Sequence, residues 1–326
     1  MVRGRVLNGM RPTNKLHLGN YFGSVVNMVA LQDEYECFYA IVDWHALTTG
    51  YENTEELQDN ILDIAIDWLS AGVDPKKAVI FIQSHVKEHA ELHLLLSMIT
   101  PLGWLERVPT YKEQLRELKE RNIHTYGFLG YPLLMAADIL AYKADTVPVG
   151  EDQLPHLEFA REVARRFNHL YKPILPEPQA KLTKVPLLPG IDGRKMSKSY
   201  GNHIPMSASP DLIREKVQQM VTDPARIRKD DPGHPEVCTI AAFYKVFLPE
   251  GVDEVFDQCR AGEIGCVACK KRLTELIIGR MEPIYKKRQE LEKRPDYIRD
   301  VLKEGAAQAR EVAAKTLEEV RQAMNV

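Results

Sequence analysis

The sequence has neither a G-x-G-x-x-G nor a G-x-x-x-x-G-K-[ST], so the glycine cradles of an ordinary dinucleotide site and of a P-loop are both missing. It has no long apolar run either. The most apolar helix-like stretch, YPLLMAADILAY, is too short to span a bilayer and carries Asp138, and the amino-terminal MVRGRVLNGM lacks the apolar segment of a signal peptide. Neither membrane attachment nor export is expected; a cytoplasmic location is. An excess of one charge is also absent, since a net −3 over 326 residues is too small to name a partner. Cysteine is sparse, and four of the five fall after residue 237. In a reducing cytoplasm this points to metal or thiol chemistry rather than disulfides. No internal repeat or low-complexity tract occurs.

What is present reads as two parts, with 44% hydrophobic residues supplying a sizeable core. Short β-rich runs alternate with longer amphipathic ones, in the order RVLNGM, LGNYFGSVVNMVALQDEY, CFYAIVDWH, TEELQDNILDIAIDWLSA and AVIFIQS. That is βαβαβ, a Rossmann-like α/β fold with a parallel sheet covered by helices. Asn53 with Glu56 predicts a capping box, and Gly72 predicts the end of the same helix. From EHAELHLLLSMIT to NHLY the pattern is mostly helical, broken by the strand-like TVPVG, which predicts a helical insertion in the sheet domain. Residues 172–192 are rich in proline, and after residue 205 only helical patterning remains. The expected division is an α/β domain over 1–204 and an all-α domain over 205–326.

Two short stretches carry chemistry. GRKMSKSYGN, residues 193–202, sets an arginine and two lysines among small polar residues between Gly193 and Gly201, a loop suited to polyanions. RPTNKLHLGN places His17, Gly19 and Asn20 at a predicted helix start, where backbone N–H groups and the helix dipole favour an anion. On a helix, Tyr131, Met135 and Asp138 fall at i, i+4 and i+7, so an aromatic, a soft apolar side chain and a carboxylate share one face.

Together HLGN and KMSKS resemble the HIGH and KMSKS signatures of class I aminoacyl-tRNA synthetases, with asparagine at the last HIGH position. The stretch 131–168, with LERVPTYKE and DWHAL, looks like the bacterial tryptophanyl-tRNA synthetase family, over nearly the whole chain. That resemblance implies ATP-dependent activation of L-tryptophan with Mg²⁺, transfer to tRNA(Trp), and a homodimer. By it, Lys195 and Lys198 neutralise the leaving pyrophosphate, with His17 and Asn20 beside them as catalytic groups. Arg11, Pro12, Thr13, Gly19, Lys112, Gly150, Glu151, Asp152, Met196, Ser197 and Ser199 complete the ATP site. Asp138 accepts the indole N–H, Tyr131 and Gln153 hold the α-ammonium group, and Met135, His45, Val147 and Val149 shape the pocket. The chemistry agrees: indole offers one N–H on a large apolar body, and a buried acceptor is what separates it from a phenyl ring.

Three further features need placing. HVKEH, residues 85–89, fits H-x-x-E-H, and His93 extends the spacing; since it follows a predicted strand directly, polar surface at a helix start is the expectation rather than a zinc protease. Residues 270–294 hold nine basic and four acidic residues, which predicts either a phosphate-backbone footprint or a helix laced with ion pairs. A nucleotidyltransferase of the same superfamily would have no use for such a footprint; the family resemblance favours anticodon-arm binding. Finally, Cys238, Cys259, Cys266 and Cys269 form C-x20-C-x6-C-x2-C, a set able to ligate a tetrahedral zinc or a 4Fe-4S cluster. The spacing resembles that of a synthetase subgroup with a 4Fe-4S cluster in the anticodon-binding domain, which implies the cluster, with one structural zinc as the alternative. Cys37 is expected as a buried thiol outside the site.

Overall fold

The structure, a computed structural model, describes residues 3–13, 15–117, 123–182 and 188–326. The strands are β1 (Arg5–Met10), β2 (Glu36–Ile41), β3 (Ala78–Ile82), β4 (Thr146–Val149) and β5 (Gln179–Leu182). The α-helices are α1 (Leu18–Asn20), α2 (Val26–Leu31), α3 (Asp43–Gly50), α4 (Leu57–Ser70), α5 (Glu88–Ser97), α6 (Leu102–Arg107), α7 (Pro109–Glu117), α8 (Tyr126–Ala141), α9 (Leu154–Leu170), α10 (Pro210–Gln219), α11 (Thr239–Phe247), α12 (Val252–Arg260), α13 (Cys266–Leu291) and α14 (Pro295–Met324). No helix among the described residues is long and apolar enough to cross a membrane.

All five strands pair in parallel, in the order β3-β2-β1-β4-β5. Strand β2 is buried along almost its whole length, as a central strand covered on both faces must be. The strand order reverses at β1, so the carboxyl ends of β1 and β4 flank the switch point where α/β sheets bind ligands. TVPVG is thus β4, an integral strand between β1 and β5, rather than a break in a helical insertion. The proline-rich segment likewise contains a strand, β5, which pairs Val147 with Ala180 and Val149 with Leu182.

The backbone forms two compact units that differ from the division expected at residue 204. The first comprises residues 1–14, 27–183 and 294–326, and the second 15–26 and 184–293. Helix α14 therefore belongs to the sheet unit, where it packs on β3, α4, α5 and α8. Gly305 permits this: a Cβ there would lie 1.9 Å from the carbonyl oxygen of Ile80. Residues 15–26 conversely join the helical unit, where Phe22 meets Phe247 edge-on at 5.1 Å between ring centroids. The capping box expected at Asn53 is not formed, since α4 starts at Leu57 without a side-chain cap, whereas Gly72 at φ +105° does close that helix.

Candidate active site

Within the first unit, the carboxyl ends of the strands deliver the side chains of the site. Helix α3 follows β2 and carries His45; Gln83 follows β3; Gly150, Glu151, Asp152 and Gln153 follow β4. Helix α8, capped by the Thr125 hydroxyl accepting from the Phe128 N–H at 3.1 Å, brings Tyr131, Met135 and Asp138. Asp138 is only 3% exposed. Its Oδ1 accepts from Nδ1 of His89 at 2.7 Å, its Oδ2 from Nε2 of His45 at 3.0 Å, and both accept from Nε2 of Gln83, at 2.9 and 2.8 Å. Burial opposes the charged form, but the His89 and His45 interactions outweigh it and hold the carboxyl well below its usual range. Val147 and Val149 share one buried face of β4 in the same apolar cluster as Leu133 and Ala137, against which Met135 packs.

Tyr131 and Gln153, assigned a common target, are joined by His156. Its Nδ1 lies 3.0 Å from Gln153 Oε1 and its Nε2 3.1 Å from the Tyr131 hydroxyl. Gln153 Nε2 donates to Asp152 Oδ2 at 3.0 Å, which fixes the amide's orientation. The imidazole then donates from Nδ1 and accepts the tyrosine O–H at Nε2. Burial first, and His45 next, push the His156 pKa down, in keeping with this neutral form. At Gly150 a Cβ would lie 2.6 Å from Asp152 Oδ1, so a side chain there would displace that carboxylate. Arg11 donates to the Thr49 hydroxyl, Pro12 is buried, Thr13 is exposed, and Lys112 is exposed on α7. A cavity of about 550 Å³ beside Pro12 and Thr13 is rimmed by Glu52, Glu55 and Glu56, the wrong sign for a triphosphate.

The second unit holds both signature stretches. Residues 16–18 run antiparallel to 204–206, with the Leu18 N–H donating to Ile204 O at 3.0 Å and the Met206 N–H to Leu16 O at 2.8 Å. His17 is the N-cap of α1: its Nδ1 accepts from the Asn20 N–H at 3.3 Å, and Asn20 Oδ1 accepts from the His17 N–H at 3.1 Å. Burial, the Lys198 charge and His203 push the imidazole pKa down to about 4. With Nδ1 accepting, the neutral ring carries its proton on Nε2. A Cβ at Gly19 would meet the His17 ring at 3.0 Å and Met196 Sδ at 3.7 Å, which brings the two signatures side by side. Met196 is buried, Ser197 and Lys198 half-buried, Lys195 exposed; the side chain of Ser199 lies outside the described residues.

One amide organises this loop. Asn202, 2% exposed, accepts the Ser197 N–H at 2.8 Å and donates to Lys195 O at 3.1 Å and Asp192 Oδ1 at 2.8 Å. Left-handed glycines flank it, Gly193 at φ +82° and Gly201 at φ +64°.

The family model "tRNA synthetases class I (W and Y)" matches residues 2–282. The chain belongs to the class I tRNA synthetases. A tryptophan–tRNA ligase of Thermotoga maritima is 52% identical over 325 residues, covering 99% of each chain, and one of Aquifex aeolicus is 48% identical over 99% of this chain and 100% of its own length. A crystal structure of tryptophanyl-tRNA synthetase from Campylobacter jejuni, complexed with ADP and tryptophan, superposes with a TM-score of 0.88 at 36% identity, covering 99% of this chain and 100% of that one. Sequence reasoning about this synthetase missed Gln83, His89, His156 and Asn202. HVKEH is not polar surface at its second histidine, because His89 is 0% exposed and spent on Asp138.

The remaining features lie in the synthetase's second unit, apart from Cys37, which is buried in β2, where burial pushes its thiol pKa up. Along α13, Lys286 pairs with Glu282, Lys287 with Glu290 and Arg288 with Glu292, so the carboxyl-terminal half is laced with ion pairs, while Lys271, Arg272 and Arg280 are exposed. Among the described residues no group of three or more His, Cys, Asp or Glu side chains converges to hold a metal ion. Cys238, Cys259 and Cys266 nonetheless lie near enough to Cys269 to add, after burial, to the upward shift of its pKa to about 11. The four thiols thus lie within electrostatic reach of one another without converging as a ligand set.

Proposed function

We infer that the chain is a tryptophan–tRNA ligase, activating L-tryptophan with ATP and transferring it to tRNA(Trp). The observation that carries this is full-length identity of 52% with a tryptophan–tRNA ligase, together with a buried, multiply hydrogen-bonded carboxylate on α8 in an apolar wall. In the first step the tryptophan carboxylate attacks the α-phosphorus of ATP, and the bond to the bridging oxygen of pyrophosphate breaks. In the second, a hydroxyl of the terminal adenosine attacks the adenylate carbonyl and AMP leaves.

The residue roles are those that the resemblance to tryptophanyl-tRNA synthetases implies. Asp138 accepts the indole N–H; Met135, His45, Val147 and Val149 enclose the ring; Tyr131 and Gln153, linked through His156, hold the α-ammonium group. Gly150 lets the nucleotide approach the backbone, with Glu151 and Asp152 accepting from ribose hydroxyls. Arg11, Pro12, Thr13 and Lys112 form the rim of the ATP site. The His17 Nε2–H and the Asn20 amide donate to phosphate independently of pH near neutrality, beside Gly19, Met196, Ser197 and Ser199. Lys195 and Lys198 stabilise charge that develops on the departing oxygens, more in the transition state than before it. Mg²⁺, when bound, supplies further neutralisation of the polyphosphate. ATP–pyrophosphate exchange with each of the twenty amino acids tests the reading: L-tryptophan should be the strong substrate, and equal exchange with tyrosine would overturn it.

Three finer readings belong here. The proximity of Cys238, Cys259, Cys266 and Cys269 supports a 4Fe-4S cluster of structural role, for which four thiolates are a sufficient donor set. Anaerobically purified protein would be brown with about four iron and four sulfide per chain, whereas one zinc in a colourless protein would replace the cluster with the alternative metal and leave the ligase reading standing. The exposed cations at the start of α13 support anticodon-arm binding. Exposed apolar Leu94, Met98, Leu102 and Tyr126 in the first unit support a homodimer, and the enzyme works in the cytoplasm.

A further inference from the structure

We propose that His89, anchored by Tyr142, is a positioning residue that aims the Asp138 carboxylate, so that selectivity for an indole N–H depends on a buried tyrosine–histidine–aspartate relay. The inference rests on the reading of Asp138 as the indole acceptor. A carboxylate turns about two side-chain bonds, the second with a broad torsional minimum, and a helix interior offers it no backbone donors. Its orientation must come from other side chains. The three that supply it come from three places in the fold, α3, the turn after β3, and α5.

The two oxygens of Asp138 have different surroundings. Oδ2 meets His45, a pocket residue that retains some exposure, while Oδ1 meets His89, which has none. Behind His89, its Nε2 lies 2.7 Å from the hydroxyl of Tyr142, also 0% exposed. Tyr142 stacks on Phe38 of β2 at 4.5 Å between ring centroids, and both Tyr142 and His89 pack against Phe81 of β3. A tyrosine O–H and a carboxylate admit one arrangement of the neutral imidazole between them: Nε2 accepts from the phenol and Nδ1–H donates to the carboxylate. The sheet thereby fixes the tyrosine, the tyrosine fixes the tautomer, and the histidine fixes Oδ1, which holds Oδ2 on the side of the pocket residue His45. Nothing in this chain of contacts needs Tyr142 or His89 to touch substrate.

The test compares kcat/KM in pyrophosphate exchange for L-tryptophan and for its benzothiophene isostere, in which sulfur replaces the indole N–H. A ratio of two substrates on one enzyme is insensitive to the fraction folded, so a role confined to stability would not move it. In Asp138→Ala, which removes both acceptor oxygens, the preference for tryptophan should collapse. In Tyr142→Phe and His89→Leu it should fall about tenfold, the worth of one misdirected hydrogen bond, through KM with kcat little changed. His89→Asn, which keeps an N–H near the Nδ1 position, should restore part of it. If Asp138→Ala loses the preference while Tyr142→Phe and His89→Leu keep the wild-type ratio, the relay is refuted and the indole reading stands. If Asp138→Ala itself keeps the preference, the indole reading fails and the relay with it.

Discussion

Replacing Asn202 by alanine removes three hydrogen bonds, to the Ser197 N–H, Lys195 O and Asp192 Oδ1, from a position that is 2% exposed. Each is worth about 1 kcal/mol net, so the arrangement of residues 195–197 loses about 3 kcal/mol. If that loss falls on the loop, exchange at saturating tryptophan and ATP should slow on the order of 100-fold. Asn202→Asp should do no better at neutral pH. It keeps an acceptor for Ser197 but sets a second carboxylate against Asp192, whose nearest cation, Arg194, is already paired with it. The measurement is exchange kinetics alongside thermal melting. A variant that melts earlier yet keeps the wild-type kcat would show that Asn202 serves folding alone, and the reasoning would be wrong.

Lys195→Ala and Lys198→Ala should each lower kcat for adenylate formation by the equivalent of about 3 kcal/mol while tryptophan binding changes little; unchanged exchange in both removes their assignment. His17, with a folded pKa near 4 against about 6.5 unfolded, binds fewer protons folded than unfolded between those values. Its contribution to stability is complete above about pH 6.5 and fades as pH falls toward 4, so an NMR titration of its ring should show a midpoint near 4, and one near 6.5 contradicts the N-cap tautomer. Gly305→Ala should cost about 3 kcal/mol in reversible denaturant unfolding, because a Cβ there overlaps the β3 backbone; an unmoved midpoint would show that α14 does not sit so close.

The sheet was legible where sequence periodicity and burial agree. RVLNGM, CFYAIV and AVIFI are dense in apolar residues, as strands of a parallel sheet with covered faces must be, and they hold β1, β2 and the edge strand β3. QAKL is not: β5 lies at the sheet edge, carries little apolar weight and is flanked by prolines, so propensity gave no sign of it. Asp138 could be placed in the interior because its helix is apolar on every side. Its partners could not, since His45, Gln83 and His89 are separated from it by 93, 55 and 49 positions and meet it only through the fold. His156 was within reach, three residues after Gln153 on a helix start, a spacing that faces the same way. Asn202 was not: an asparagine after a left-handed glycine reads as an ordinary turn, and only three-dimensional closure shows which backbone groups it satisfies.

The chain enters the second unit twice and returns to the first each time, and the second return is α14 laid across β3. During synthesis the ribosome must therefore make residues 27–183 and then the whole of 184–293 before the helix that seals the sheet exists. For that interval Ile80 and its neighbours have no cover on the face that Gly305 later closes, and the unit holding the Asp138 carboxylate is incomplete. The amino-acid pocket is thus encoded first and finished late, and the nascent enzyme passes a stretch of its own translation with an apolar sheet face in need of a chaperone or of patience.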